Sequence, residues 1–426
     1  MKVKADRQRE ELSILPVHAL PAAVLWAILT CTVWADQAVL HMEIGDPARR
    51  DQEVELRLDA ITDTGTGGII TPRQLAERLT DVGMLFIGES HTNLDFHTVQ
   101  LRVIQELHRA GREVLIGLEM FPYTRQASLD GWIGGLYTEQ GFVELAEWYT
   151  YWGYRWEYYR DIFAYARDKH IAMFAINTPR EVVKAMRKKG FKNLTPEEAA
   201  GIPHDILPAT DAQRRMYMGF FDADDALHMN EEAMDGMLRA QTTWDATMGW
   251  NALRALEEHG GEDAIMVVLI GSGHVTYGLG AERQTAPYYD GRIASLIRLE
   301  IADDDNQPVE TVQASYANFL WGLPKAQDTV YPTLGISLMG KLGKQPTRLI
   351  RVSEDSVAER AGLVVGDVLL GLDGRRIASA EMLRKVFAPY RWGDVVTALI
   401  ERDGRQQKII IPIRRHAADR EAVDHE

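Results

Sequence analysis

Short, unbroken apolar runs alternate with amphipathic stretches through the middle of the chain. Met84–Ile87, Val114–Leu118, Ile171–Ile176 and Ile265–Ile270 are the clearest of these runs. Short runs that are apolar at consecutive positions suit strands covered on both faces. Between the first two, Val99, Val103, Ile104 and Leu107 recur at helical spacing, and Gly111 ends the helix. Ile162, Phe163 and Ala166 mark a helix before the third run, and a methionine-rich helix covers Glu231 to Glu258. Strands separated by helices in this way predict an α/β fold: a mostly parallel sheet with helices on both faces. Ile293–Ile301 alternates less cleanly and reads as an added edge strand.

The rhythm changes after residue 302. Residues 303–329 are polar and read as a linker; 330–415 carry short strands, many glycines and one helix, and 416–426 form a polar tail. Thr333-Leu334-Gly335-Ile336 is a small–apolar–Gly–apolar turn whose backbone N–H groups would converge on a carboxylate. Ile336-Ser337-Leu338 continues as an edge strand. Ser356–Leu363 and Gly366-Asp367-Val368-Leu369 follow, then an Asp373-Gly374 hairpin turn. Leu383 and Phe387 share one face of a helix over Glu381–Phe387, and Val395–Ile400 and Lys408–Ile413 are the last strands. This order resembles the PDZ modules of exported bacterial proteins. The resemblance implies a small β-rich domain that takes a peptide or a protein's C-terminal tail by strand addition, at Thr333, Leu334, Gly335, Ile336, Leu338, Leu383 and Phe387. The alternative is a PDZ-like fold whose groove packs only against its own partner domain.

Charge and cysteine content narrow the setting. Of the 426 residues 62 are acidic and 47 basic, a formal charge of -15, which disfavours nucleic acid and anionic membrane surfaces as partners. Cys31 is the single cysteine, so an internal disulfide is excluded. Lys2, Lys4, Arg7 and Arg9 precede a mostly apolar stretch from Leu15 to Val33. Residues 1–35 therefore read as a signal peptide cleaved after Ala35, or as a lipoprotein signal with the lipid on Cys31, though Thr30 departs from the usual residue before that cysteine. An uncleaved anchor is the alternative. Export to the periplasm or the outer membrane is the expectation. Residues 36–71 read as a linker and 72–302 as the α/β domain.

Polar residues recur just past the carboxyl ends of the apolar runs. Gly88-Glu89-Ser90-His91 follows the first, Glu119 the second, Asn177-Thr178-Pro179-Arg180 the third and Gly271-Ser272-Gly273-His274 the fourth. Ligands of open parallel sheets bind at these strand ends. Two imidazoles and two carboxylates suit a divalent metal or an acid–base pair. Taken singly, each has a plainer role: Glu89 as a helix cap, Glu119 as a partner of Arg125, either histidine as a surface residue. Their placement at one edge of one sheet carries the functional reading. Neither Ser90 nor Ser272 sits in Gly-x-Ser-x-Gly, and no Walker-type phosphate loop is present.

These motifs, with Leu118-Glu119-Met120-Phe121, Gln241 and Trp244-Asp245, resemble the ChaN-like haem-binding uptake family. That family shares a superfamily with Tiki proteases and erythromycin esterases. The likeness runs from about Leu75 to Leu299. It implies a haem-binding protein of iron or haem acquisition, with Glu89, His91, Glu119 and His274 in the superfamily's shared site and Asn177, Arg180, Gln241 and Asp245 in motifs of the ChaN-like branch. It also implies a tyrosine ligand, which no motif here singles out. The other branches imply a metal-dependent hydrolase, in which Glu89, His91, Glu119 and His274 would be the catalytic or metal-binding residues. Trp148, Tyr149, Tyr151, Trp152, Tyr154, Trp156, Tyr158 and Tyr159 offer flat faces to a porphyrin, or else form a helical lid on the sheet. Met216, Met218, Met229, Met234, Met237 and Met248 read as an adaptable pocket or as ordinary core. Tyr217 and His228 lie among them as further candidate ligands. No Cys-x-x-Cys-His is present, so thioether attachment of haem is excluded.

Overall fold

The computed structural model describes residues 37–415, apart from 200, 221–230, 303–308, 326–329 and 340–346. The expected signal segment, Cys31, His228, Met229 and the polar tail lie outside the described residues. No described helix is long and apolar enough to cross a membrane.

Each apolar run becomes a strand. In chain order the main elements are β1 (Ala60–Asp63), β2 (Gly68–Ile70), α1 (Pro72–Arg78), β3 (Val82–Glu89), α2 (Leu94–Arg109), β4 (Glu113–Pro122), α3 (Gln126–Ile133), α4 (Glu139–Leu145), α5 (Trp148–Tyr151), α6 (Arg160–Asp168), β5 (Met173–Asn177), α7 (Arg180–Lys189), α8 (Asp211–Met218), α9 (Glu231–His259), β6 (Ala264–Gly271), α10 (Ala281–Thr285), β7 (Arg292–Glu300) and β8 (Phe319–Leu323). They form an eight-stranded sheet of order β2-β1-β8-β7-β3-β6-β4-β5. The strands from β8 to β5 are mutually parallel; β1 and β2 add an antiparallel hairpin. Asn93 caps α2, which turns Phe96, Val99, Val103, Ile104 and Leu107 onto the sheet.

Three expectations are corrected. Ile293–Ile301 is no edge strand: β7 lies inside the sheet, between β3 and β8. Its broken alternation comes from Ser295, whose hydroxyl meets Asn318, and from Arg298, only 2% exposed and stacked 3.5 Å from the centre of the Phe96 ring. The stretch 303–329 contains β8 and a short strand Thr311–Gln313 paired with Glu53–Glu55. Residues 36–71 supply β1, β2 and that pairing. Both presumed linkers are therefore built into the α/β fold.

The C-terminal module follows with β9 (Ile336–Met339), β10 (Arg348–Val352), α11 (Val357–Arg360), β11 (Val368–Leu372), β12 (Arg375–Arg376), α12 (Ala380–Phe387), β13 (Val395–Arg402) and β14 (Arg405–Pro412). Its antiparallel sheet runs β9-β10-β11-β13-β14, with β12 beside β11. Asp373 and Gly374 both have positive φ (44° and 76°), as the expected two-residue hairpin requires. Gly335 also has positive φ, and a Cβ there would lie 2.3 Å from Ser356 Cβ.

Candidate functional site

Three neighbouring strands, β3, β6 and β4, end at the same edge and deliver the expected residues to one place. Gly271, at the end of central β6, is the meeting point. A Cβ on it would lie 3.2 Å from Cε1 of His91, tight enough to press on the ring, and 3.6 Å from Oε2 of Glu119, an ordinary contact.

Around β3, Glu89 is buried at 3% exposure and both its oxygens are engaged. Oε1 lies 2.8 Å from Nδ1 of His91 and accepts from the Tyr159 hydroxyl at 2.6 Å. Oε2 accepts from Nε2 of Gln100 at 2.6 Å and lies 3.6 Å from Nδ1 of His97. Burial would raise its pKa, but His97 and His91 beside it, with the Tyr159 hydroxyl, bring it down to about 2. A carboxylate can only accept, so Nδ1 of His91 carries a proton, and in the neutral tautomer this selects the lone pair is on Nε2. The rings of Trp152 and Tyr154 stand 4.6 and 4.7 Å from the His91 ring, which is 12% exposed.

Around β6 and β4 a second group forms. Oε2 of Glu119 accepts the Gly271 amide at 2.6 Å, and its Oε1 lies 3.5 Å from Nε2 of His274. Nδ1 of His274 meets Oδ1 of Asp245 at 2.5 Å, with the Gln241 amide 2.7 Å from the same nitrogen. Burial disfavours a charge on His274, yet Asp245 and Glu119 outweigh it and lift its pKa to about 10. The neighbouring carboxylates thus favour the protonated form of the His274 ring. Asn177 donates to the Glu119 carbonyl at 2.7 Å, so it holds the backbone of the site. Arg180 points elsewhere, donating to the Tyr151 carbonyl at 3.1 Å.

The structure therefore unites Glu89, His91, Glu119, His274, Gln241 and Asp245. Among the described residues no three His, Cys, Asp or Glu side chains come together as a metal-holding group. The carboxylates and His274 are turned to one another instead. Two participants were missed from sequence, His97 and Gln100, and Tyr159 was singled out only as one of eight aromatic faces and not as a partner of Glu89. The first two carried a signal, being polar residues on the apolar face of α2.

Other expectations resolve as packing. Trp148, Trp156, Tyr158 and Tyr159 are buried in the core beside Trp132, Phe142 and Phe163; only Trp152 and Tyr154 face His91. Met216, Met234, Met237 and Met248 are core, and Met218 is exposed. Tyr217 is buried and gives its hydroxyl to the Gly273 carbonyl at 2.9 Å. Burial holds its pKa well above the ordinary phenol value.

In the C-terminal module β9 is the edge strand, with Ile336 and Leu338 half-buried beside α12. Leu334, Leu383 and Phe387 are buried in the module core, while Thr333 leads the turn into β9. The carbonyls of Leu334 and Gly335 turn inward to the amides of Ala358 and Ser353.

Residues 75–284 match the family model described as haem-binding uptake, Tiki superfamily, ChaN. No curated protein matches the chain. Among solved structures, ChaN of Campylobacter jejuni, described with cofacially bound haem, is 16% identical, covers 62% of this chain and 98% of its own, and has a TM-score of 0.48. A serine endoprotease from Yersinia pestis is 27% identical over 20% of this chain and 29% of its own, with a TM-score of 0.18. The HtrA-type protease AlgW with a decapeptide is 16% identical over 26% of this chain and 47% of its own, with a TM-score of 0.19. The chain spans less than half the length of either protease, and its C-terminal region is the part that resembles them.

Proposed function

Residues 75–284 form a domain of the haem-binding uptake family of the Tiki superfamily, the ChaN family, and on that premise we propose that the chain binds haem at the carboxyl ends of β3, β4 and β6. The observation that carries this reading is the anchored imidazole of His91. A metal-binding histidine characteristically donates its second ring nitrogen to a carboxylate, which fixes the tautomer and raises the basicity of the free nitrogen. Glu89 does this for His91, and Tyr159 and Gln100 hold Glu89 in turn. Haem, if bound, would supply an iron for which such a nitrogen is a ligand, and His91 is the residue that would hold it. Trp152 and Tyr154 would lie against its flat face. Tyr159 is spoken for by Glu89 and Tyr217 by Gly273, which leaves His91 as the donor the site favours over those tyrosines.

The C-terminal module serves recruitment in this reading. The exposed edge of β9 takes an extended tail, with its carboxylate at the Thr333–Ile336 turn. The N-terminal segment directs export, and the whole acts in haem or iron acquisition. Titration of the purified full chain with haemin tests the central claim. A Soret shift saturating at a defined stoichiometry, and lost in His91→Ala, is expected. No absorbance change at stoichiometric haemin sinks it.

A further inference from the structure

The turn Trp152-Gly153-Tyr154 lies over His91, and the C-terminal module lies over the turn. Gly153 has φ +95°, and a Cβ there would stand 2.9 Å from Nη1 and 3.2 Å from Cζ of Arg384 on α12. Arg155, the next residue but one, enters the module and is 9% exposed. It donates to the carbonyls of Pro332 at 3.0 Å and Phe387 at 3.4 Å, and to that of Ala388. Those last two carbonyls close the C-terminus of α12, where a cation is favoured. The same guanidinium lies 5.2 Å from the Tyr331 ring centre and 5.7 Å from that of Phe387. Two ion pairs flank it: Lys385 with Glu144 at 2.5 Å and Arg391 with Glu157 at 2.7 Å. Arg180 and Glu381 approach to 4.0 Å.

These contacts divide α12 between two tasks. Leu383, Val386 and Phe387 face the module's own core. Arg384 faces the turn that covers His91, while Glu381 and Lys385 reach Arg180 and Glu144 of the α/β domain on either side of it. We propose that the C-terminal module is a latch: α12 holds the Trp152-Gly153-Tyr154 turn closed over His91, and release of its grip opens Nε2 of His91 to ligand. The latch gives the haem reading a gate, but its geometry concerns access to His91 whatever binds there.

The test uses the full chain and no haem, so it stands or falls apart from that reading. Carbethoxylation of His91 by diethyl pyrocarbonate is followed by peptide mass spectrometry, with exposed His170 as the internal reference. Lys385→Glu combined with Arg391→Glu is expected to speed labelling of His91 about fivefold or more, the effect of a modest shift in a local opening equilibrium. His170 labelling stays unchanged. Adding Glu144→Lys and Glu157→Lys, which restores both pairs with reversed sign, is expected to return the slow rate. That return separates a latch from general loosening of the fold. An unchanged His91 rate in the double variant overturns the proposal, as does fast labelling that the charge reversal fails to slow.

Discussion

The carboxylate of Glu89 holds Nδ1 of His91 at 2.8 Å, and this one contact decides which ring nitrogen meets a ligand. Glu89→Gln keeps the shape but replaces the acceptor-only group with one that can also donate. Haemin affinity is expected to fall about 10- to 100-fold, the usual cost of losing such a partner. Tyr159→Phe removes one of the donors that hold the carboxylate, so a smaller loss is expected. Parallel haemin titrations of the three proteins check the order.

Gly271 separates His91 from Glu119, and a methyl group there would press on the His91 ring. Its backbone is ordinary for any residue (φ -59°), so Gly271→Ala acts on the space and leaves the backbone unstrained. The variant should fold, losing about 1 kcal/mol to overpacking. Its haemin affinity should fall far more than that of an alanine substitution at Gly111, which is strained by a φ of +85° but lies past the far end of α2, away from the site. Equal affinities for the two variants would contradict this placement of Gly271.

His274 links charge to stability. Its pKa is raised in the fold to about 10, from the ordinary imidazole value of 6.5. A raised imidazole contributes stability that is complete below pH 6.5 and is lost as pH climbs through 10. Urea unfolding should therefore show a falling midpoint between those limits. Asp245→Asn removes the nearest countercharge, and breaking a buried pair in this way costs about 3–5 kcal/mol. In that variant the pH dependence over the window should shrink as well. A midpoint independent of pH in the wild type would show that His274 is neutral.

Arg298 invites the opposite change. It is buried, none of its three guanidinium nitrogens has a hydrogen-bond partner among the described residues, and burial brings its pKa down to about 9. Its compensation is the Phe96 ring, with Asp95 and Glu300 nearby. An apolar side chain of similar length avoids that desolvation cost. Arg298→Met is expected to raise the urea midpoint by about 1 kcal/mol of stability, or at least to cost nothing. A loss of several kcal/mol would mean that the charge is needed where it is.

What could be read from sequence follows from burial. Met84–Ile87 and Ile265–Ile270 announce themselves because both faces of a central parallel strand are covered. The ends of those strands were legible for the same reason, since glycine, glutamate and histidine stand out after an apolar run. β7 was harder, because Ser295 and Arg298 interrupt its pattern and are reconciled only by Asn318 and Phe96 from elsewhere in the chain. β8 is apolar throughout and as long as β5, so its signal was present in the sequence even though the stretch around it reads as polar. The hold of Tyr159 on Glu89 spans 70 positions and leaves no local trace. The aromatic segment misled in a different way. Trp148 and Trp156 are alike in sequence to Trp152, but only the fold shows that Trp156 packs on Trp132 and Phe142, and Trp148 on Trp156, while Trp152 reaches His91.

Helix α12 has one side in the core of the C-terminal module, beside the proposed tail-binding strand β9, and the other toward the turn over His91. If both sides report on the same displacement, the two binding equilibria are thermodynamically linked. A tail that changes the affinity for a ligand at His91 by some factor must itself gain or lose affinity by that factor when the ligand binds. The module would then act as a sensor of loading, recruiting its partner differently when the α/β domain is full and when it is empty.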